Sequence, residues 1–234
     1  MGNILDITDL HVRYHDGVEA LRGVSLSVAE GERVGLIGPN GAGKTSMMLA
    51  VMRAVPFAGR IAIDGMELSS RTQDEARSRC GMTFQDADDQ LFMPTLLEDA
   101  AFGPLNQGLA PDAAEAAARC AIAAVGLEGL ERRSAHHMSG GQKRSAALAT
   151  VLSMKVKLLL LDEPGANLDR RSRRRLTDML LDRREAMLLA THDLSMIRLL
   201  CARVVLLDEG HIAAVGPAEQ VLNDQALLSA HGVG

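Results

Sequence analysis

A glycine-rich loop restricts the folds open to this chain more than any other segment. Residues 38–45 read GPNGAGKT and follow an apolar run at residues 34–37. In a turn that opens a helix, glycines leave backbone N–H groups bare, and these groups converge on an anion. The loop fits the pattern GxxxxGK[ST], in which the lysine reaches the terminal phosphates of a nucleotide and the hydroxyl ligates Mg²⁺. The alternative is a glycine-rich turn with a solvated lysine. The predicted phosphate-binding residues are Gly38, Pro39, Asn40, Gly41, Ala42, Gly43, Lys44, Thr45 and Ser46.

Length and composition favour a packed domain that does not bind nucleic acid in general. Of 234 residues, 47% are hydrophobic, which is ample for a core. The formal net charge is −5, so the uniform attraction to phosphate that nucleic-acid binders use is missing. Cys80, Cys120 and Cys201 lie far apart without a CxxC pair. We therefore expect reduced cytosolic thiols, and neither a disulfide framework nor a zinc site.

No segment has the pattern of a targeting or membrane-spanning sequence. Asp6 and Asp9 interrupt the N-terminal region, which lacks the basic-then-apolar layout of a signal peptide. No run of roughly eighteen apolar residues occurs, so we expect another chain to supply the membrane part if this protein works at a membrane.

Short apolar strands alternate with helical stretches, a pattern typical of an α/β domain with a mainly parallel core sheet. Strands predicted at residues 4–14 and 24–28, joined by a turn-rich link at 15–23, indicate an antiparallel N-terminal β-subdomain. A helix is predicted at residues 44–53, after the glycine loop. The further predicted strands are residues 33–37, 59–65, 80–85, 157–161, 187–190, 203–208 and 211–215.

An alanine-rich stretch interrupts this alternation. Residues 94–137 have a helical pattern, and no strand signal follows until Leu158. Because strands resume afterwards, the stretch is predicted to be an inserted α-helical subdomain and not a separate domain. We thus predict one domain over residues 1–234. Its catalytic core with the β-subdomain would comprise residues 1–93 and 155–234, and its helical subdomain residues 94–154, approximately.

Two acidic residues end the strand in KLLLLDEP, residues 157–164. The four leucines are typical of a strand buried on both faces. Because neighbouring strand residues point opposite ways, Asp162 and Glu163 are expected to have different surroundings. Asp162 can bind a metal through water, and Glu163 can face a γ-phosphate as general base. The alternative is an acidic strand-to-loop turn on the surface.

The stretch MSGGQKRSAALA, residues 138–149, resembles the signature sequence of ATP-binding-cassette (ABC) ATPases, whose usual form is LSGGQ with a basic helix behind it. A serine followed by glycines caps a helix whose free N–H groups can bind a phosphate. An ordinary capped helix start would need only Ser139 and would leave the two glycines and Gln142 unexplained. The residues predicted to contact ATP here are Ser139, Gly140, Gly141 and Gln142.

The resemblance extends over nearly the whole chain and implies the P-loop NTPase fold of ABC ATPases. It implies that ATP and Mg²⁺ are bound and that ATP is hydrolysed to ADP and phosphate. It also implies a head-to-tail dimer, in which each ATP lies between the Gly38 loop of one copy and the Ser139 loop of the other. A simple P-loop kinase would have no use for the Ser139 loop.

Other positions match functional residues of that family. Tyr14, the only tyrosine, matches the aromatic residue that stacks on adenine; an edge-strand aromatic is the alternative. Gln85 matches the glutamine that contacts Mg²⁺ and the attacking water. His192 matches the switch histidine that reaches the γ-phosphate; a structural histidine at a strand end is the alternative. The resemblance thus implies the catalytic residues Lys44, Gln85, Glu163 and His192, and the metal ligands Thr45, Gln85 and Asp162.

The chain departs from the family pattern in three places. Met138 replaces the usual leucine, which is a conservative change. Ser145 stands where an arginine is common, so a basic contact there is either missing or taken over by Arg144. ANLD, residues 166–169, resembles the loop that crosses the dimer interface. The surrounding EPGANLDRR lacks the family's usual form, so the geometry of this loop is left open.

The segment after Gln85 carries information about partners. Asp86, Asp88 and Asp89 precede an apolar patch at residues 91–93. The segment is either a solvated acidic turn with a local apolar anchor or a docking edge for a helix of another chain. It resembles the corresponding segment of ATPases from energy-coupling-factor importers, above all the cobalt/nickel type, whose pattern is Gln-Asp-Pro-Asp-Asp-Gln-Leu-Phe.

This second resemblance implies a set of partners. Paired ATPases would sit under a transmembrane coupling protein, beside a separate membrane protein that captures the substrate, on the cytoplasmic face of the cell membrane. A homodimer is the simpler expectation, and a paralogous ATPase is the alternative second subunit. Cobalt or nickel is the expected cargo, with a vitamin such as biotin as the alternative. A soluble, non-transport ABC ATPase is the alternative of another class.

The basic run RRSRRR, residues 170–175, admits two interpretations. Alone, it could indicate binding to nucleic acid or anionic lipid. We favour one face of a solvated helix, balanced by Asp178, Asp182 and Glu185, and expect no nucleic-acid partner.

Overall fold

The computed structural model describes residues 2–233, which divide into two compact units. One unit comprises the residues up to Cys80, Lys157–Asp162 and the residues from Arg184 onward; the other comprises Gly81–Val156 and Glu163–Arg183. The second unit contains the stretch predicted to be a helical subdomain. The division of one domain at residues 93 and 155 stays a prediction.

The strands are β1 (Asn3–Arg13), β2 (Glu19–Ala29), β3 (Arg33–Ile37), β4 (Ala58–Ile63), β5 (Met66–Glu67), β6 (Cys80–Thr83), β7 (Leu158–Asp162), β8 (Ala186–Ala190), β9 (Arg203–Asp208) and β10 (His211–Pro217). The α-helices are α1 (Lys44–Val51), α2 (Gln73–Ser78), α3 (Leu96–Asn106), α4 (Pro111–Ala124), α5 (Gly140–Leu152), α6 (Arg170–Leu181), α7 (Leu194–Leu200), α8 (Ala218–Asn223) and α9 (Gln225–Ala230).

Two sheets organise the first unit. Strands β2, β1, β4 and β5 lie side by side in that order and pair antiparallel. In the other sheet the order is β10, β9, β3, β8, β7; the last four are parallel, and β10 is antiparallel to β9. Every residue of β7 and β8 is buried, which explains their uninterrupted apolar sequences. The predicted fold class, a mainly parallel core sheet with an antiparallel N-terminal sheet, is confirmed.

The prediction of a turn-rich link at residues 15–23 is wrong for the second half of that stretch. The turn is tight and is closed by a hydrogen bond of 2.9 Å from Tyr14 N to Val18 O. Strand β2 then begins at Glu19, which pairs with Arg13. Gly23 has a φ of 74° and lies at an irregularity of the ladder. A glycine bulge inside a strand resembles a turn in sequence, which hid the first half of β2.

In the second unit, α3, α4 and α5 pack against one another. The alanines of α4 serve this packing, because Ala114, Ala118 and Ala121 are buried on one face of the helix. Strand β6 passes close to α5: a Cβ on Gly81 would lie 2.4 Å from Val151 Cγ1. Small residues therefore set the close approach of these elements.

Among residues 2–233, no helix combines the length and the apolar character needed to cross a lipid bilayer.

Candidate active site

The glycine-rich loop runs from the end of β3 into α1, and close packing requires two of its glycines. A Cβ on Gly38 would lie 2.1 Å from the carbonyl oxygen of Leu207, and one on Gly43 would lie 2.6 Å from that of Ala20. Both glycines have positive φ angles, 148° and 106°. The buried Lys44 side chain donates from Nζ to Gly38 O at 2.7 Å and to Pro39 O at 2.9 Å. Its ammonium group therefore lies against the loop that is predicted to hold phosphates.

The predicted metal ligands Thr45 and Asp162 contact each other. Thr45 Oγ1 donates to Asp162 Oδ2 at 2.6 Å. Asp162 is the last residue of β7 and is only 2% exposed. A hydroxyl and a carboxylate beside Lys44 are oxygen ligands of the kind that Mg²⁺ prefers. Within residues 2–233, no cluster of three His, Cys, Asp or Glu residues suits a metal. The contact of the Thr45 hydroxyl with the Asp162 carboxylate fits an ion held by few protein oxygens together with phosphates and water.

His192 and Asn40 form a second contact beside the loop. His192 Nε2 lies 2.9 Å from Asn40 Oδ1, so the hydrogen bond requires the tautomer that is protonated at Nε2. His192 follows β8, and Asp193 then caps α7 by accepting from Met196 N at 3.1 Å. The imidazole is exposed at the carboxyl end of the parallel strands. This edge is where ligands bind in open α/β sheets.

Tyr14 lies just beyond β1 and not within an edge strand. Its hydroxyl is 3.0 Å from Ser46 Oγ in the first turn of α1. The ring is half-buried. The first unit therefore brings together most of the predicted nucleotide site: Tyr14, the residues from Gly38 to Ser46, Asp162 and His192.

Glu163 belongs to the second unit and begins a strained turn. Its φ is 48°, in the left-handed region that side chains other than glycine rarely adopt. Ala166 N donates to its carbonyl oxygen at 3.1 Å. Since β7 ends at Asp162, this turn, and not the alternation of strand residues, sets the direction of the Glu163 side chain. Strained backbone of this kind is common at functional sites.

Gln85 is exposed and follows β6 by two residues. The chain after it forms a single 3₁₀ turn, Ala87–Asp89, capped by Asp86, which accepts from Asp88 N at 2.9 Å. Gln90 ends the turn. Its side chain carries three hydrogen bonds that sequence reasoning missed.

The signature residues form a complete capping box at the start of α5. Ser139 Oγ accepts from Gln142 N at 3.3 Å, and Gln142 Oε1 accepts from Ser139 N at 3.0 Å. Gln142 thus has a structural role as part of the cap, and the expectation that a capped helix start leaves it unexplained is wrong. Among residues 2–233, no atom from outside the helix would lie within 4 Å of a Cβ on Gly140, and the nearest to a Cβ on Gly141 is Asn167 O at 3.6 Å. The two glycines thus leave room in front of the helix.

A cavity of about 710 Å³ opens in front of this helix start. Ser145 lines it together with Arg171 and Arg175 of α6. Arg144 is buried and donates to Phe84 O at 3.4 Å. The suggestion that Arg144 takes over the basic contact next to Ser145 is therefore not supported; the cations at this cavity come from α6. Its other lining residues are Val125, Gly126, Leu127, Leu130, Ser139, Gly141, Gln142, Asn167, Asp169 and Ser172.

Part of the apolar patch predicted at residues 91–93 is exposed, and α3 enlarges it. Phe92 is 64% exposed and packs edge-on against Phe102, with ring centroids 5.1 Å apart; Leu105 of α3 is also exposed. Leu91, in contrast, is buried. Asp99 holds the loop by accepting from Phe92 N and Met93 N at 3.0 and 2.9 Å. We call Phe92, Phe102 and Leu105 the aromatic patch.

The arginine run forms the exposed face of α6. Asp169 caps the helix by accepting from Arg171 N at 2.8 Å and Ser172 N at 2.9 Å. Within the helix, Arg174 pairs with Asp178 at 3.9 Å, with both side chains mostly exposed. This arrangement agrees with a solvated helix face.

Comparisons with known proteins show the family to which the chain belongs. A family model described as "ABC transporter" matches residues 21–166. An ABC transporter ATP-binding protein of Gloeobacter violaceus is 45% identical over 233 residues, which cover 98% of this chain and 95% of the relative. The energy-coupling factor transporter ATP-binding protein EcfA of Methanothermobacter thermautotrophicus is 39% identical over 232 residues, covering 96% of this chain and 74% of the relative.

Solved structures show the same fold. The structure of cbiO1 from Clostridium perfringens, described as part of the ABC transporter complex cbiONQ, has a TM-score of 0.82 and 30% identity, covering 98% of this chain and 94% of its own. The cassette MJ0796, described as dimeric and bound to ADP and Pi, has a TM-score of 0.84 and 22% identity, covering 92% and 98%. The chain therefore belongs to the ABC transporter family and is an ATP-binding ATPase cassette of that family.

Proposed function

We propose that this chain is the ATP-hydrolysing subunit of an importer of the energy-coupling-factor type. The observation that carries the catalytic part is the 2.6 Å contact of Thr45 with Asp162, beside the buried Lys44. The importer type is supported by relatives named EcfA, of which the one from Methanocaldococcus jannaschii is 37% identical over 229 residues. It is also supported by the similarity to cbiO1.

The first unit would bind the nucleotide. The N–H groups of the Gly38 loop and the Lys44 ammonium group bind the phosphates, and the Tyr14 ring stacks on adenine. His192 Nε2 donates to Asn40 Oδ1 in this structure and would exchange that acceptor for the terminal phosphate when the nucleotide binds. Thr45 and Asp162 would hold Mg²⁺, which would neutralise charge that develops on the phosphate oxygens. A part for Gln85, which belongs to the second unit, stays a prediction.

Glu163 would act as the general base. Its carboxylate orients a water and accepts a proton from it as the oxygen attacks the γ-phosphorus in line. The bond from that phosphorus to the bridging oxygen breaks, and ADP leaves. The remaining catalysis is positioning and charge stabilisation by Lys44 and His192.

The second unit would complete the site of another copy. The capped start of α5 offers free N–H groups in front of a cavity large enough for a ligand's phosphates. We propose that the Ser139 loop of one copy binds the γ-phosphate held by the Gly38 loop of the other. A paralogous ATPase is the alternative partner.

The aromatic patch and the acidic residues beside it would bind the membrane partner. Phe92 is largely exposed, and Asp86, Asp88 and Asp89 lie on the exposed turn that precedes it. A helix with an apolar face and basic flanks, belonging to a transmembrane coupling protein, fits this surface. The chain would then work peripherally at the cytoplasmic face of the membrane, with cobalt or nickel ions as cargo and a vitamin such as biotin as the alternative.

Replacing Glu163 by Gln tests the catalytic proposal. Glu163→Gln should lower kcat for ATP hydrolysis by at least about 100-fold, because general-base catalysis is typically worth that much. ATP binding should be retained, since the amide leaves the phosphate site intact. Steady-state phosphate release and equilibrium binding of a fluorescent ATP analogue measure the two effects. Turnover near that of the unmodified chain would remove Glu163 from this role.

Uptake by a reconstituted complex tests the cargo and the class. Vesicles that contain the chain with its co-purified membrane proteins should accumulate Co²⁺ or Ni²⁺ when ATP is supplied on the side of the chain; accumulation of biotin instead would establish the alternative cargo. A chain that never co-purifies with a membrane protein when the neighbouring genes are co-expressed would support the soluble ABC ATPase.

A further inference from the structure

Side chains of α5 and the segment at residues 84–90 are joined at three places. Gln90 accounts for the first: its Oε1 accepts from Phe84 N at 3.1 Å, and its Nε2 donates to Ala147 O at 2.8 Å and Thr150 Oγ1 at 2.7 Å. One side-chain amide therefore connects the peptide just before Gln85 with the middle of α5.

Arg144 and Lys143 provide the other two links. Arg144 Nη1 donates to Phe84 O at 3.4 Å, so side chains hold both the N–H and the C=O of Phe84. Lys143 Nζ binds Asp88 Oδ1 at 2.6 Å, with the Lys143 side chain only 20% exposed. Lys143 lies one turn after Ser139, whose carbonyl accepts from its N–H at 2.8 Å.

The three links lie on both sides of Gln85. We propose that Gln90 and Lys143 are positioning residues that make the start of α5, Gln85 and the acidic turn at residues 86–89 move as one body. The inference rests on the proposed function. When the Ser139 loop engages a nucleotide, the links carry the displacement of α5 to Gln85 and to the turn that faces the membrane partner.

The geometry favours coupling over simple reinforcement of the fold. Gln90 makes two of its three side-chain bonds to α5 and the third to Phe84, and it makes none of them within its own turn. A second glutamine offers a matched control: Gln107, after α3, donates to Lys155 O at 3.2 Å and accepts from Lys155 N at 3.1 Å in the same unit. These two bonds join Gln107 to Lys155 and not to residues 84–90.

Hydrogen–deuterium exchange in a Glu163→Gln chain tests the coupling. Adding ATP and Mg²⁺ should slow exchange at residues 138–147 and also at 84–93. After Gln90→Met, the response at 138–147 should stay within about twofold, while that at 84–93 should fall about fivefold or more, because three hydrogen bonds are lost. Gln107→Met should leave both responses unchanged.

Exchanging the charges of the ion pair gives a kinetic test. Lys143→Asp should lower kcat about tenfold with KM for ATP within about twofold, and adding Asp88→Lys should restore kcat to within about threefold. A purely structural role of the pair would lower the melting temperature of Lys143→Asp together with kcat, so thermal unfolding is measured beside the kinetics, and the melting temperature should stay within about 2 °C of that of the unmodified chain.

Two results would overturn the inference. The coupling would be refuted by a Gln90→Met chain that keeps the full hydrogen-exchange response at residues 84–93. It would also be refuted by a chain with both Lys143→Asp and Asp88→Lys whose kcat is no higher than that of Lys143→Asp alone. Either result would leave the proposed function intact. A Glu163→Gln chain whose exchange ATP changes at neither segment would refute the proposed function, and the coupling with it.

Discussion

The hydrogen bond between Thr45 and Asp162 joins residues 117 positions apart and brings two predicted metal ligands of the first unit into contact. The pattern GxxxxGK[ST] predicts the hydroxyl of Thr45 as a metal ligand. The position at the end of a leucine-rich strand predicts the carboxylate of Asp162 as another. Their contact makes each the natural orienting partner of the other. Either residue alone is a weak prediction of a metal site, whereas the pair is a specific one.

Thr45→Val should separate the role of this hydroxyl from its packing. Valine keeps the shape of threonine but removes the donor to Asp162 and the proposed metal ligand. We expect kcat for ATP hydrolysis to fall about 100-fold and the Mg²⁺ concentration at half-maximal rate to rise. Folding should persist, since one hydrogen bond contributes about 1 kcal/mol. Thr45→Ser is the control, and its kcat should stay within about threefold of that of the unmodified chain. An equal loss of kcat in both variants would contradict the proposed role of the hydroxyl.

Asp64 gives the first unit a stability that depends on pH. Its Oδ2 accepts from Arg79 at 2.6 Å and from Lys157 at 2.7 Å. The hydrogen bond from Lys157 and the charges of Lys157 and Arg79 lower the pKa of Asp64 below its ordinary value of 3.8. Because the folded pKa is depressed, this stabilisation is present above pH 3.8, approximately, and is lost as pH falls through the folded pKa.

Asp64→Asn should therefore lower the melting temperature at pH 7, and the difference from the unmodified chain should shrink as pH falls below about 3.8. Asparagine tolerates the positive φ of 52° at this position, so the backbone turn is kept. Thermal unfolding followed by circular dichroism from pH 3 to 8 measures the effect. A difference that does not change with pH would contradict the electrostatic explanation.

Asp99 provides a control, because its pKa is shifted in the direction opposite to that of Asp64. Burial raises the pKa of its carboxyl above 3.8 despite the N–H bonds from Met93 and Phe92. Its Oδ2 is buried without a hydrogen-bond partner in the part of the chain that the structure describes. A raised folded pKa contributes stability below the unfolded pKa, and this contribution is lost as pH rises through the folded pKa. Asp99→Asn should therefore leave stability at pH 7 unchanged or slightly higher.

Among the helices, α5 has two roles that a single substitution can separate. Its start is capped by Ser139 and Gln142, which stabilises the helix, and the same start is proposed to bind a phosphate. Ser139→Asp should keep the cap, because aspartate is as good an N-cap as serine. The carboxylate would occupy the position of the anion and repel it.

We expect Ser139→Asp to keep the melting temperature within about 2 °C while ATP hydrolysis falls at least about 100-fold. Ser139→Ala, which removes the cap, should destabilise the chain by about 1 kcal/mol. Differential scanning calorimetry and phosphate release measure the two properties. Full activity in Ser139→Asp would show that α5 is capped but does not bind phosphate.

For the molecule as a whole, the proposed head-to-tail pairing predicts that two inactive variants complement each other. A Lys44→Ala chain keeps its Ser139 loop, and a Ser139→Asp chain keeps its Gly38 loop. In a mixed dimer one composite site is intact. Since half of the dimers in an equal mixture are mixed, activity should reach about one quarter of that of the unmodified chain. Each variant alone should be inactive; an equally inactive mixture would argue against composite sites.

The sequence by itself determined the fold class, the glycine loop, the signature helix and the family. These features depend on residues that are neighbours in the chain: the spacing of glycines around Lys44, the leucines before Asp162, and the serine and glycines before α5. Local patterns of this kind fix backbone conformation and buried strands directly. The bounds of β3 and β9 were predicted to the residue for this reason.

Tertiary structure alone decided which of these side chains meet. It pairs Asn40 with His192, buries Leu91 while exposing its neighbour Phe92, and directs Arg144 to Phe84 and away from Ser145. It also gives Gln90 partners that lie 57 and 60 residues away. Such contacts depend on how packed elements approach one another, and the residues along any one segment do not specify that approach.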